Sequence, residues 1–441
     1  MNEFVSQRDT EEQVRMGIKD LLKELRSITT VRHLNDYKGL RAGVDIMCWL
    51  YRGIHRCVGE LIKGEETEAY IDYCMGMIYL LKQYEIIPYI VLDGRKPRAK
   101  REKNLERKHD RDENRTSACE ALAEGNTELA QALYRKSITI TSDMICKLIL
   151  KMREGGIEFL VSPYEADAQL AYLSMNGMVD FVITEDSDAV VYGCSRILFK
   201  LNLDTHLGDE IVRRNMGNVK ELSFTNWTDD QFKLFACLAG SDYQKKLPNM
   251  GVKRAHQFAN NYKTYDGICR ALRESRFAEN ATGEFFEGLK QAWLTFKHQL
   301  VYDDASRQCV YLTAVSEDNL DIDDVIHGEF IEQDILLKIV QGTIEPHTLS
   351  PYERVCASIY SPKLYSKDRF AVVNVNEQQL NFQSLKLNKD DCNCLISLST
   401  DSKGNMPKKR HFPWGDCKFL SDPEMQEIVK KSRIAKYNQR R

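Results

Sequence analysis

The sequence predicts an α/β fold, a mostly parallel central sheet flanked by helices, and three observations carry that expectation. Short apolar runs end in acids at Gly43-Val44-Asp45, Ile90-Val91-Leu92-Asp93 and Phe181-Val182-Ile183-Thr184-Glu185-Asp186. Runs this short and this apolar read as strands buried on both faces, the habit of parallel sheets. Segments of helical period separate them, the βαβ order that builds such a sheet. Acids at the carboxyl ends of parallel strands then share one crevice.

The elements follow in order. Ile18, Leu21, Leu22 and Leu25 have helical spacing, and a strand ends at Asp45. An apolar helical stretch spans Tyr70 to Tyr84, then a strand runs from Ile86 to Leu92, where Pro88 is tolerable near the start. From Arg95 to about Ala132 the pattern is charged and poor in large apolar residues, a solvated helical excursion. The helix Ser142 to Arg153 leads through Gly155-Gly156 to the strand Ile157 to Val161, and Ser162-Pro163 opens a helix carrying Glu165 and Asp167. Strands at Phe181 to Thr184 and Ile197 to Leu201 complete the series. Beyond Trp227, Thr228 reads as an N-cap with Asp229 and Asp230 in the first turn, and the helix should stop at Gly240. A turn-rich link, Ser241 to Gly251, joins it to a second helix beginning Val252-Lys253-Arg254-Ala255. Helical and mixed segments continue to about Ile344, and after Ser350 periodicity weakens.

Composition bounds the function classes. The 441 residues are 43% hydrophobic and 29% charged, room for one large domain or two to three smaller ones. No apolar stretch approaches the ~20 residues that span a bilayer, and Met1 to Arg15 has no signal-peptide core. Thirteen cysteines are scattered, only Cys392 and Cys394 lying close, and the histidines show no zinc spacing. A reduced, intracellular chain is expected. The net charge of −3 hides a separation: Arg95 to Arg115 holds ten Lys or Arg against five acids, and Asp401 to Arg441 eleven against five. With an acid cluster neutralised by cations, the remaining surface is effectively cationic.

The acids themselves carry the chemistry. Asp45, Asp93, Glu165, Asp167, Asp186, Asp188 and Asp242 would repel strongly in one crevice unless divalent cations sat among them. Two pairs, Glu165/Asp167 and Asp186/Asp188, are spaced i, i+2, so both members can reach one ion directly or through its water. Any one such pair is equally a solvated loop or cap; four acid sites in this order are not so explained. Gly240 to Ala255 can present backbone amides to a phosphate, with Lys253 and Arg254 near, or be an ordinary helix connection. The basic excursion is either a solvated face or a cationic arm bringing Lys100 and Arg107 to a phosphate. Trp49 reads as core, Tyr51 as core or a base-stacking ring. Pro407-Lys408-Lys409-Arg410 suits a nuclear-import signal.

Together these motifs resemble the structure-specific 5′-nuclease family, which includes flap endonucleases, exonuclease 1 and the endonuclease of nucleotide excision repair. Met16-Gly17-Ile18-Lys19-Asp20-Leu21-Leu22 is similar to the family's N-terminus, and Val44-Asp45 with Cys48-Trp49-Leu50, then Val91-Leu92-Asp93-Gly94, to its first acid motifs. Pro163-Tyr164-Glu165-Ala166-Asp167-Ala168-Gln169-Leu170, Ile183-Thr184-Glu185-Asp186-Ser187-Asp188, Arg135 to Ile140 and Phe296 to Asp303 resemble the exonuclease 1 branch. The likeness spans about Met16 to Ile344.

The resemblance implies a PIN-like 5′-nuclease core with a helical arch and a helix-two-turn-helix DNA-binding subdomain. It implies all seven acids as metal ligands or groups supporting them, and Lys100 and Arg107 as arch residues at the scissile phosphate. Two Mg²⁺ ions, replaceable by Mn²⁺, and a K⁺ ion in the Asp242 to Gly251 turn are implied as cofactors. DNA contacts are expected from Gly17, Met47, Tyr51, Gly251, Lys253 and Arg254. Met47 stands where the family often has Tyr, and Tyr51 where this branch tends to have a wedging His. Fifteen residues precede Met16, so translation starts at Met16 or the extension threads away from DNA. The expected organisation is an extension at 1–15, an N-terminal nuclease region at 16–114, arch and connection at 115–150, an internal nuclease region at 151–240, helix-two-turn-helix and further helices at 241–350, and a basic tail at 351–441. The expected activity is two-metal hydrolysis of duplex DNA from 5′ ends, nicks, gaps or flaps, by a nuclear monomer serving mismatch repair and recombination, with mismatch-repair proteins as partners. The rivals are a flap endonuclease of replication and an inactive DNA-end-binding scaffold.

Overall fold

The computed structural model describes residues 17–18, 20–62, 65–315, 322–328 and 331–352. The expected extension at 1–15, the basic tail and Pro407-Lys408-Lys409-Arg410 lie outside the described residues. Among the described residues two compact units interleave along the chain: those within 17–50, 73–105 and 144–352 form one, and those within 51–72 and 106–143 the other.

The first unit is built on seven strands: β1 (Thr30–His33), β2 (Arg41–Asp45), β3 (Ile87–Leu92), β4 (Phe159–Val161), β5 (Phe181–Ile183), β6 (Arg196–Phe199) and β7 (Leu207–Val212). Their spatial order is β1-β7-β6-β5-β2-β3-β4. β6, β5, β2, β3 and β4 run parallel, as the buried apolar runs predict. β7 and β1 add antiparallel pairings that the apolar-run criterion passes over. β7 alternates burial and carries Asp209 and Glu210, and β1 is an exposed edge strand. Strand β4 is shorter than the expected Ile157 to Val161, because Gly156 takes φ +60° and Ile157 N–H returns to Met152 O, closing the preceding helix Ser142–Glu154.

Register places the acids. Val44 pairs with Ile90 on one side and Ile183 on the other, and Leu92 with Val161, so four parallel strands end at one edge. The helix Ala166–Met175 crosses that sheet closely. A Cβ on Gly43 would lie 2.9 Å from Leu170 Cδ2, so a larger residue at position 43 would displace the Leu170 side chain on the helix bearing Asp167. At Gly94 a Cβ would collide with Ser162 O, and Gly94 N–H bonds Tyr164 O, so β3 and β4 are pinched together just past their ends.

Further along, Thr228 caps Asp229–Ala239 by accepting from Gln231 N–H at 3.1 Å, and Gly240, at φ +102°, ends it. Val252–Tyr262 packs on that helix across the turn, the expected two-helix arrangement. Gly283–His298 leads into a hairpin of β8 (Leu300–Asp303) and β9 (Gln308–Tyr311). Among the described residues, Cys48, Cys57, Cys74, Cys119, Cys194, Cys237, Cys269 and Cys309 are reduced thiols.

The second unit is helical. Within it Val58–Ile62 packs against Thr127–Ser137, whose Asn126 cap accepts from Leu129 N–H. The basic excursion is one helix, Arg101–Ala123, which runs unbroken past position 115. Among the described residues no helix is long and apolar enough to cross a membrane.

Candidate functional site

The strand ends and one helix turn bring six of the seven acids to a common edge of the first unit. Asp45 closes β2, Asp93 follows β3, Glu165 and Asp167 open the helix after β4, and Asp186 and Asp188 follow β5. Asp242 comes from the turn after Asp229–Ala239 and joins them through Lys100, whose Nζ lies 2.5 Å from Glu165 Oε1 and 3.2 Å from Asp242 Oδ2. The acids are fixed by local bonds. Asp93 Oδ1 accepts from Ala166 N–H at 2.8 Å, and Asp186 Oδ1 from Asp188 N–H at 2.9 Å. Asp45 Oδ2 accepts from the Cys48 thiol and the Thr184 hydroxyl, at 2.8 and 2.9 Å. Thr184 Oγ1 in turn accepts from Asp186 N–H, so one hydroxyl ties the acids of β2 and β5.

Burial and mutual repulsion shape the electrostatics. Burial, then the Asp45 charge, pushes the Asp93 carboxyl up to about 7. Burial raises Asp186 to about 6 against the pull of Lys100, with Asp242 and Asp45 adding to the rise. Asp167 and Asp188 are held well above the carboxylate range by burial and by Asp186. Burial alone would lower the Lys100 ammonium, but Glu165, Asp242 and Asp186 outweigh it and hold its pKa well above the lysine range. Lys100 offsets only part of the charge of seven acids.

Two atoms test whether cations fit. Asp167 Oδ1 and Asp188 Oδ1 are buried with no hydrogen-bond partner. An unmet buried carboxylate oxygen costs free energy that a cation would offset. The donors are all hard oxygens, which suit Mg²⁺, Mn²⁺ or Ca²⁺ over zinc. The acids do not draw together as tightly as ligands on one ion: among the described residues the only three donors all within 4.8 Å of one another are His109, Asp110 and Glu113, exposed in the second unit.

Gly17 also lies here. At φ +78°, a Cβ on it would overlap Ser187 Oγ and Asp186 Oδ1 and sit 2.9 Å from Asp188 Oδ1. Ile18 N–H bonds Ser187 Oγ at 2.8 Å, drawing the N-terminal segment onto the acid turn. Met47 is half-buried, its N–H donating to Asp45 Oδ1. Gly251, Lys253 and Arg254 are exposed at the start of Val252–Tyr262, with Arg254 Nη1 bonding Asn249 O. Arg107 and Tyr51 belong to the second unit, both half-buried.

Sequence reasoning missed Cys48 and Thr184 as partners of Asp45. It also missed Tyr192, Tyr243 and Gln299, which surround Glu165. Tyr243 is adjacent to an acid already singled out, and Gln299 lies inside the segment Phe296 to Asp303, but neither placement along the chain says that the residue meets Glu165.

The XPG N-terminal domain model matches residues 16–114 and the XPG I-region model residues 156–242. Exonuclease 1 of Arabidopsis thaliana is 36% identical over 353 residues, covering 80% of this chain and 47% of its own length. The DNA damage-inducible protein DIN7 of Saccharomyces cerevisiae is 30% identical over 302 residues, 68% of this chain and 70% of that protein. The chain belongs to the XPG/Rad2 nuclease family. The two family models carry all seven acids, with Asp45 and Asp93 in the first and the other five in the second. XPG/Rad2 nucleases are metal-dependent, in keeping with the unmet oxygens of Asp167 and Asp188. Exodeoxyribonuclease 1 of Schizosaccharomyces pombe is 31% identical over 78% of this chain and 60% of its own length. The chain thus spans about half the length of the Arabidopsis relative. Among solved structures, the catalytic core of Rad2 in complex with DNA substrate overlaps at a TM-score of 0.45 and 18% identity, over 78% of this chain and 99% of that one.

Proposed function

We propose that this chain is a Mg²⁺-dependent 5′→3′ exonuclease on duplex DNA that also cuts 5′ flaps, acting in DNA repair. The observation that carries the reading is the convergence of six strand-end acids and Asp242 around Lys100, with two buried carboxylate oxygens unmet. Relatives named exonuclease 1 and exodeoxyribonuclease 1 support exonuclease action on DNA. Asp45, Asp93, Glu165, Asp167, Asp186, Asp188 and Asp242 would hold two Mg²⁺ ions, or Mn²⁺ in their place. The ions would supply an activated water and offset the charge of the leaving 3′ oxygen.

The chain's own residues do the rest. Thr184 and Cys48 orient Asp45, and Asp188 N–H orients Asp186, so the donors are preorganised. Lys100, ion-paired with Glu165 and Asp242, would offset charge on the phosphoryl oxygens, and Arg107 of the arch helix is the second cation of that reading. Gly17, whose missing Cβ lets its backbone pack against Ser187 and Asp186, would contact the DNA, and Met47 and Tyr51 would contact the unpaired end. Lys253, Arg254 and the amides at Gly251 would grip a duplex phosphate without reading sequence, with K⁺ in the Asp242 to Gly251 turn. The nuclear address and mismatch-repair partners belong to the same reading, as does action as a monomer.

The test is a product ladder from 5′-labelled and 3′-labelled recessed, nicked and flap duplexes with Mg²⁺. Stepwise mononucleotide release from a recessed 5′ end supports an exonuclease, and cutting confined to flaps would make it a flap endonuclease. Asp186→Ala should abolish cleavage and largely retain DNA binding; robust Mg²⁺-dependent cleavage by that variant refutes the assignment.

A further inference from the structure

Glu165 is held by a group that neither family model reaches. Gln299 lies between Gly283–His298 and β8, 134 residues from Glu165, and is fully buried. Its Oε1 accepts Glu165 N–H at 3.2 Å, and its Nε2 donates to Glu165 Oε2 at 3.1 Å and to Tyr192 Oη at 3.2 Å. The Tyr192 and Tyr243 hydroxyls are 2.6 Å apart, and Tyr243 O–H donates to Glu165 Oε2. Proton directions follow from the donor inventory. The amide commits both protons, to Glu165 and Tyr192. Tyr243 gives its proton to the carboxylate, so it accepts from Tyr192, whose oxygen accepts from Gln299. Every proton of the ring has one place, and the ring drains into Oε2.

Glu165 Oε2 is therefore saturated by two donors, while Oε1 faces Lys100 at 2.5 Å. We propose that Gln299 is a positioning residue for metal binding: by bridging the backbone and the carboxylate of Glu165, it fixes that side chain so that Oε1 alone is offered to the cation. The proposal rests on the metal-dependent reading above. A carboxylate with one oxygen committed binds monodentate, which suits the strict octahedral demand of Mg²⁺ better than the wider shell of Ca²⁺. A glutamate free to turn about its three side-chain bonds would lose that selection.

A second glutamine supplies the control. Gln169, also fully buried, sits on the helix Ala166–Met175 and bridges Tyr302 in the same two-way manner, accepting from its N–H at 2.7 Å and donating to its carbonyl at 2.9 Å. Its side chain bonds Tyr302 alone and none of the acid carboxylates.

The experiment compares the full chain with Gln299→Met, Tyr243→Phe and Gln169→Met. The Mg²⁺ concentration giving the half-maximal rise in Tm reads metal affinity without cleavage, and a parallel series uses the Mg²⁺ midpoint of cleavage and the DNA Kd. Gln299→Met should raise both Mg²⁺ midpoints at least tenfold and leave the DNA Kd within twofold. Tyr243→Phe should shift the midpoints in the same direction, and the double variant by less than the product, because both donors serve one oxygen. Gln169→Met should lower Tm and leave the midpoints unchanged. Unchanged midpoints in Gln299→Met, or an equal shift in Gln169→Met, overturn the proposal. If Gln299→Met does not fold, Tyr243→Phe, which removes the other donor to Glu165 Oε2 without adding charge, carries the test: raised Mg²⁺ midpoints support the role and unchanged midpoints overturn it. A wild-type chain whose Tm ignores Mg²⁺ refutes the metal-dependent reading itself.

Discussion

Removing one acid from the cluster should stabilise the metal-free protein and destroy its activity. Asp186 is buried, and its carboxyl rises from 3.8 to about 6. A folded-state pKa above the unfolded value means the stability contribution is whole below about pH 3.8 and is lost as pH rises through about 6. A rise of that size corresponds to about 3 kcal/mol lost from the folded state by pH 8. Asp186→Asn cannot ionise, yet its Oδ1 can still accept from Asp188 N–H, so the local bond survives. Asp167 and Asp188, both pushed up by the Asp186 charge, relax in the same direction. The variant, with chelator present, should therefore match wild type at pH 4 and gain about 3 kcal/mol by pH 8, a Tm rise of roughly 6–12 °C at ~2–4 °C per kcal/mol. Thermal melts of both proteins from pH 4 to pH 8, with and without Mg²⁺, check it. A stability difference that does not grow with pH, or a loss of stability at pH 8 without metal, would refute the repulsion argument.

Three further outcomes are expected. Lys100→Met removes the cation paired with Glu165 and Asp242, so the metal-free Tm should fall at pH 8 and the Mg²⁺ concentration that restores it should drop, while cleavage slows; both are read in the same melts and a cleavage assay. Gly17→Ala forces a Cβ into Ser187 and Asp186 at a left-handed φ, costing about 1–2 kcal/mol before any displacement of the acids, and should cut turnover while leaving DNA affinity near wild type. Thr228→Ala removes the cap of Asp229–Ala239 and should cost ~1 kcal/mol in urea unfolding with no change in the Mg²⁺ midpoint.

The acids were legible because their positions are dictated by strand ends. Asp45, Asp93 and Asp186 each follow an apolar run, and parallel register brings those runs to one edge. Thr228 and Gly240 were legible for a similar reason, since capping chemistry is local and leaves a residue signature. β1 and β7 were not, because antiparallel strands at an edge carry polar residues that blur the apolar run. Gln299 was invisible for a different reason. Its role depends on a bond across 134 residues, and no spacing along the chain encodes which buried amide meets which carboxylate. Cys48 and Thr184 fall between these cases, inside recognised motifs but with functions that only the pairing of β2 and β5 defines.

β3 and β4 are hydrogen-bonded neighbours, yet the chain between Leu92 and Phe159 leaves the first unit at Leu105 and re-enters it at Met144. Both strands keep their register through Ile90, Val91 and Leu92, and Gly94 locks the exit to the Ser162-Pro163 turn. Closing a longer connection costs little, about 0.6 kcal/mol for each doubling of length. The segment 106–143 can therefore be lengthened, trimmed or exchanged while the strand-end acids stay in register. The length of that connection is thus uncoupled from the register that gathers the strand-end acids.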